Sequence, residues 1–180
     1  MYGIILICKR DIVMKIAIVY KSLTGNTKII ANSIKEALQD QNIIYFGEPK
    51  DNIDADVYIV GSWTDKGDAT EEIKKFLLSL ENKKIAYFGT AGFGGSNEYY
   101  IKLFNRVKSY IKKSNKIIGY FYCQGKMPEK IRQKYEYLIK EHPDDRNIKI
   151  SIDNFDKALT HPDLNDIENA KKWIKSILEV

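Results

Sequence analysis

Short apolar runs alternate with longer stretches of helical periodicity along this chain. Lys15-Ile16-Ala17-Ile18-Val19-Tyr20 is the first clear run, β-branched and apolar, the pattern of a strand buried on both faces of a parallel sheet. A polar loop follows, then a helix with Ile30, Ile34, Ala37 and Leu38 at helical spacing. Ile43–Phe46 and Asp56–Gly61 read as the second and third strands. Only residues 47–55 separate them, short for a parallel crossover, which usually takes about a dozen residues or more. Ile73, Phe76, Leu77 and Leu80 then mark a helix, and Lys84–Gly89 a fourth strand. Tyr100, Leu103, Phe104, Val107 and Ile111 predict the next helix, and Ile117–Tyr122 the fifth strand.

The pattern then changes. Pro128 suits a helix first turn, and Ile131, Tyr135, Leu138 and Ile139 continue a helical stripe. Ile148, Ile152, Phe155 and Leu159 predict another helix, although Ile148, Ile150 and Ile152 also alternate as a strand would. His142-Pro143 and His161-Pro162 punctuate the ends of these segments, because a residue before proline is pushed out of the helical region. A last helix starts near Asn165, with Ile167, Ala170, Ile174 and Ile177 inward. Strand and helix in regular alternation define an α/β doubly wound parallel sheet of five strands in one domain, 14–180, with a helical insert at 124–163. Residues 1–13 look detached from it, a leader or an extra edge strand at 4–8, since Met14 opens directly onto the first strand.

Composition narrows the class. At 180 residues, 44% apolar and 29% charged, the chain has material for a real core and is neither disordered nor collagen-like. Two cysteines, Cys8 and Cys123, can build neither a disulfide framework nor a four-cysteine zinc site, and read as free thiols of a reducing compartment. His142 and His161 have no cysteine or carboxylate constellation and make a poor metal site. With neither a membrane-length apolar run nor a signal-peptide pattern, the expected location is cytoplasmic. The net charge of +5 is a mild lysine excess, and speaks to partners rather than to fold.

Ligands of such sheets bind at the carboxyl ends of the strands, near the point where strand order reverses. The first of these loops, Lys21 to Thr27, runs into a helix N-terminus, where free N–H groups and the helix dipole favour an anion. Ser22, Thr24 and Thr27 add hydroxyls, and Gly25 permits close backbone approach. The lysine of a nucleoside-triphosphate loop is absent. Neutral donors of this kind suit a phosphate monoester held without a metal. The second loop holds Ser62, Trp63, Thr64, Lys66, Gly67 and Asp68, and the third Thr90, Ala91, Gly92, Phe93 and Gly94.

The span Ile18–Ile34 resembles the flavodoxin signature: apolar pair and aromatic, hydroxyl at Ser22, small residue at Gly25, hydroxyl at Thr27, then Ala31 and Ile34. The resemblance covers roughly residues 15–123 and the last helix, and is strongest to small clostridial-type proteins sharing the run Phe88–Gly95, some of them linked with bilirubin reductases. It implies a flavodoxin-like sheet of order 2-1-3-4-5 and FMN as cofactor. Cofactor contacts would come from Ser22, Leu23, Thr24, Gly25, Asn26 and Thr27 in the first loop, and from the second- and third-loop residues just named. Trp63 and Phe93 would flank the flavin ring, and Gly67-Asp68 resembles the glycine–aspartate pair whose peptide turns its carbonyl toward the flavin in this family. Gly95 stands where many relatives carry an acid, and a less negative surround favours more negatively charged reduced flavin. The insert and the basic charge are departures, since typical flavodoxins are acidic.

Three readings follow. The first is an FMN electron carrier exchanging electrons with a partner redox enzyme, an acidic one if the helix face of Lys102, Arg106, Lys108, Lys112 and Lys113 docks it. The second is an FMN-dependent NAD(P)H oxidoreductase acting on a small acceptor, with the insert completing a second ligand site. The third is a flavin-free scaffold, which the loops argue against. No general acid, base or nucleophile constellation stands out, and this favours the carrier. Cys123, with no histidine near it in sequence, reads as an inert buried thiol.

Overall fold

The computed structural model describes residues 13–180. Both readings of the N-terminal segment, leader or edge strand, fall essentially outside the described residues. Eleven elements follow in order: β1 (Ile16–Lys21), α1 (Asn26–Ala37), β2 (Ile43–Gly47), β3 (Val57–Trp63), α2 (Glu71–Ser79), β4 (Lys84–Ala91), α3 (Asn97–Lys108), β5 (Lys116–Gln124), α4 (Glu129–Glu141), α5 (Arg146–Ala158) and α6 (Leu164–Leu178). The strands form one parallel sheet in the order β2-β1-β3-β4-β5. This is the doubly wound arrangement expected from the alternating pattern.

The central strands are apolar on both faces because both faces are covered. Ile16, Ile18, Val57, Ile59, Ala86 and Phe88 point to one side, where α1 brings Ile30 and Ile34 and α6 brings Ala170 and Ile174. The residues between them, Ala17, Val19, Tyr58, Val60, Ile85 and Tyr87, point to the other, against Ile73 and Leu77 of α2 and Phe104 and Val107 of α3. Alternation along each strand thus sorts one continuous apolar run into two cores.

The short crossover is real and has no helix. Residues 48–56 return from the carboxyl end of β2 to the start of β3, passing only β1. Nine residues drawn out at ~3.3–3.6 Å each reach ~30 Å, more than the ~17 Å of a five-residue strand. Side chains fasten it: the Tyr58 hydroxyl donates to the Ile53 carbonyl, Lys83 Nζ donates to Ala55 O at 2.8 Å, and Ala55 is buried.

Both periodic segments of the insert are helices. Asp145 accepts from the N–H groups of Asn147 and Ile148, and this cap decides for a helix over the alternating strand pattern at 148–152. Its apolar stripe is only partly used as core. Phe155 and Ala158 are buried, but Leu159 lies outside α5 and is exposed, contrary to the inward place its spacing predicts. No residue of α4 is fully buried. Ile111 is buried as expected, yet it lies beyond the end of α3.

Candidate functional site

A cleft of about 540 Å³ opens at the carboxyl ends of β1, β3, β4 and β5. It is bounded by the three loops singled out in the sequence and, on its remaining side, by the segment leaving β5 and the first half of α4.

The first loop supplies Leu23, Thr24 and Asn26. Gly25 is the N-cap of α1, at φ +91°, a conformation that favours glycine and leaves the cap without a side chain. α1 is the one described helix with neither a side-chain cap nor an acid in its first turn. Ser96, Asp145 and Asp163 cap α3, α5 and α6, while α2 and α4 carry Glu71, Glu72 and Glu129 in their first turns. Its positive end is therefore left for an external anion. Asn26 Nδ2 donates to Thr24 Oγ1 at 3.0 Å and to the Lys126 carbonyl at 2.8 Å, tying this loop to the opposite wall. Gly125 makes this approach possible, since a Cβ there would stand 2.7 Å from Asn26 Nδ2.

The second loop supplies Trp63, Thr64, Asp65, Lys66 and Gly67. Asp65 and Asp68 exchange backbone bonds of 2.8 and 2.9 Å across Lys66-Gly67, whose φ values are 49° and 82°. Two central residues at positive φ make this a tight primed-type turn, one of them non-glycine and strained. Arg106 Nη1 of α3 donates to Gly67 O at 2.9 Å. The carbonyl that the resemblance turns toward the ring is thus held by an arginine here. The third loop supplies Thr90, Ala91, Gly92 and Phe93, and Phe93 is 38% exposed. Trp63 is half-buried and lines the cleft, as a ring stacker would.

Six residues expected at the cofactor do not line the cleft. Ser22 Oγ accepts from Lys28 N at 3.3 Å and closes the first loop; Gly25 shapes the cap. Thr27 is fully buried, its hydroxyl bonded to that of Thr90 at 2.9 Å. Ser62 Oγ donates to Trp63 O and accepts from Thr70 N. Asp68 turns away to the Tyr110 hydroxyl at 2.7 Å and to Ala69 N, with Lys74 at 3.7 Å. Gly94 backs onto Gln124. Ser22, Ser62 and Asp68 share a reason: loop hydroxyls and carboxylates near a helix start serve the backbone first.

The sequence reading missed Asp65, Tyr99, Lys130, Ile131 and Tyr135, which also line the cleft. Ile131 and Tyr135 belong to the helical stripe read in the insert. Their one distinguishing signal was position, directly after the carboxyl end of the fifth strand. Burial pushes the Tyr99 phenol up, so it stays neutral near pH 7.

Two further groups resolve otherwise than expected, or more fully. His161 does acquire carboxylate neighbours: Nδ1 lies 2.5 Å from Asp166 Oδ2, and ligand-type atoms of His161, Asp163 and Asp166 lie within 4.8 Å. The same carboxylates form the capping box that starts α6, so one oxygen of each is already engaged. Cys123 is buried, and burial raises its thiol well above the ordinary value. In a Cys8→Ser protein, Ellman's reagent should leave Cys123 unlabelled until denaturant is added. Rapid labelling of the native protein would contradict this.

These features define a class. A five-stranded sheet of order 2-1-3-4-5 carries at its switch point an uncapped helix N-terminus and two loop aromatics, the parts needed to hold a phosphate monoester bearing a planar ring. The chain matches the flavodoxin domain over residues 17–175 and belongs to the flavodoxin family. The flavodoxin-like domain-containing protein BilS of Clostridioides difficile (strain CD3) is 34% identical over 172 residues, covering 92% of this chain and 97% of the relative. The BilS of Clostridium symbiosum (strain WAL-14163) is 35% identical over 172 residues, covering 86% and 90%. Oxidised Flavodoxin 2 from Bacillus cereus shares the fold, with a TM-score of 0.55 at 20% identity, over 92% of this chain and 98% of that one. The donor set fits the cofactor of the family, and the chain is an FMN-binding flavodoxin-like protein. Among the described residues, no helix is long and apolar enough to cross a membrane.

Proposed function

We propose that this chain is an electron carrier, passing electrons between FMN held in the cleft and a partner redox protein. The observation that carries this reading is the uncapped, acid-free start of α1 opening into a cleft that also presents Trp63 and Phe93. Thr24 and the first-turn N–H groups bind the phosphate. Trp63, Thr64, Lys66 and Gly67 flank one side of the ring system, and Thr90, Ala91, Gly92 and Phe93 the other. Ser22, Gly25, Thr27, Ser62, Asp68 and Gly94 act from behind, by setting the loops. Bound FMN supplies the redox chemistry, and the protein orients it and keeps water from it. The cleft wall contains neither histidine nor cysteine among the described residues; its titratable groups are Asp65, Lys66, Lys126, Lys130, Tyr99 and Tyr135.

The partner we propose is acidic. Lys66, Lys126 and Lys130 line the cleft, are exposed, and have no ion-pair partner among the described residues. The basic face of α3 and the turn after it is the weaker candidate, since Arg106 is spent on Gly67 O and Lys112 on Glu81. A second reading, an FMN-dependent NAD(P)H oxidoreductase with a small acceptor, draws support from Ile131 and Tyr135, which extend the cleft beyond the three loops. Stopped-flow mixing of the FMN-loaded protein with NADH or NADPH separates the two. The carrier reading expects no direct turnover but ready re-oxidation of dithionite-reduced protein by an electron acceptor. Fast direct turnover would establish the enzyme instead.

A further inference from the structure

The carbonyl oxygen of Gly92 receives two side-chain amides at once. Gln124 Nε2, at the end of β5, donates to it at 3.0 Å, and Asn154 Nδ2, in the middle of α5, donates at 2.9 Å. Gln124 Nε2 also reaches Asn154 Oδ1 at 3.2 Å, so the three groups close into a ring. A peptide oxygen has two lone pairs, and both are used here. Gln124 is 8% exposed and Asn154 half-buried, so water competes weakly for these bonds. Steric contact holds the same loop: a Cβ on Gly92 would stand 2.5 Å from Met127 Cγ, and one on Gly94 2.7 Å from Gln124 Cδ. The residue after Gly92 is Phe93, the loop aromatic of the cleft.

We propose that Asn154 is a positioning residue: through the Gly92 carbonyl, the helical insert sets where Phe93 stands and preorganises the cleft for its cofactor. The proposal rests on the FMN reading. Asn154 does not line the cleft and acts only through the loop. That loop needs an external hold. Gly92, Gly94 and Gly95 give it wide conformational freedom, with Gly95 at φ +84°. Ordering it at the moment of binding would weaken affinity, whereas a loop already fixed binds at no such cost. The role of the insert is then to hold one wall of the cleft as well as to cover the sheet.

Asn154→Asp tests this. It is isosteric and still accepts from Gln124, but it cannot donate to Gly92 O. FMN is titrated into full-length apoprotein, followed by flavin fluorescence, and the visible circular dichroism of the bound flavin is recorded. Hydrogen exchange is measured on apoprotein peptides spanning 89–96. The expected result is FMN binding weaker by about tenfold, an altered flavin dichroism and faster exchange in that segment, with Ile150→Ala on the exposed face of α5 behaving as wild type. Asn154→Ser is the second variant if the aspartate prevents folding. Binding within twofold of wild type, with unchanged dichroism and exchange, overturns the proposal. Wild-type protein that takes up no FMN overturns the cofactor reading itself, and this proposal with it.

Discussion

Thr24→Asp should abolish FMN binding at micromolar cofactor while leaving the fold as stable as before, or slightly more so. The two effects have opposite signs because they come from the same charge. Thr24 is exposed, two residues ahead of α1, and its oxygen accepts from Asn26 Nδ2, a role the carboxylate can keep. Aspartate near an uncapped helix start is favourable by about 0.3–1 kcal/mol through the dipole. The same charge repels an incoming phosphate dianion. Two unit charges ~4 Å apart at an effective dielectric of ~20 interact by about 4 kcal/mol. Even half of that weakens binding by more than tenfold, and two phosphate charges carry the loss beyond about a hundredfold. Calorimetric titration with FMN, alongside a thermal melt of the apoprotein, reads both. A variant that still binds FMN within tenfold of wild type places the phosphate elsewhere.

The second large effect concerns stability. Gly61 of β3 lies directly opposite Phe88 of β4, and a Cβ on Gly61 would stand 2.1 Å from Phe88 Cζ. The arrangement repeats one strand over, where a Cβ on Gly89 would stand 2.1 Å from the Tyr122 ring. In each pair a ring lies across a glycine of the neighbouring strand, just below the loops that form the cleft. Both Gly61 and Phe88 are buried, and Phe88 is a fully buried core residue, so its ring has nowhere to go. Gly61→Ala should therefore cost about 3 kcal/mol, the upper end for overpacking a core, and a large part of the stability of an ordinary domain. Urea unfolding measures it. Phe88→Leu in the Gly61→Ala background should recover at least about 1 kcal/mol relative to the sum of the single changes. Strict additivity would mean that ring and glycine do not meet.

Much of this protein is legible in one dimension. Runs such as Ile16–Tyr20 and Ile85–Phe88 are apolar at every position, which only a sheet covered on both faces tolerates. The helix stripes between them are periodic enough to place α1, α2 and α3 within a few residues. The loops that reach the cleft follow from strand direction, because carboxyl ends of parallel strands share one edge. The individual side chains within those loops are less legible. Thr24 and Thr27 look alike in sequence, yet one lines the cleft and the other is buried against Thr90. Asp68 and Asp65 bracket the same turn, yet only Asp65 lines the cleft. Which way a short polar side chain turns depends on partners tens of residues away, here Thr90 and Tyr110.

The insert marks the same boundary. Its helices were readable from the spacing of apolar positions, a local property, while the Asp145 cap that fixes the second of them emerged only in the structure. That Ile131 and Tyr135 would face a cleft rather than a core was not, since apolar periodicity reports that a face is covered and is silent on what covers it. The chain by itself determined the element order, the sheet class and the glycine turn that opens α1, because backbone propensity, alternation and glycine placement act over a few residues. Tertiary structure alone decided the side chains that line the cleft, the arginine that holds Gly67 and the amides that hold Gly92, because those contacts join residues 32 to 62 positions apart whose meeting no local pattern records.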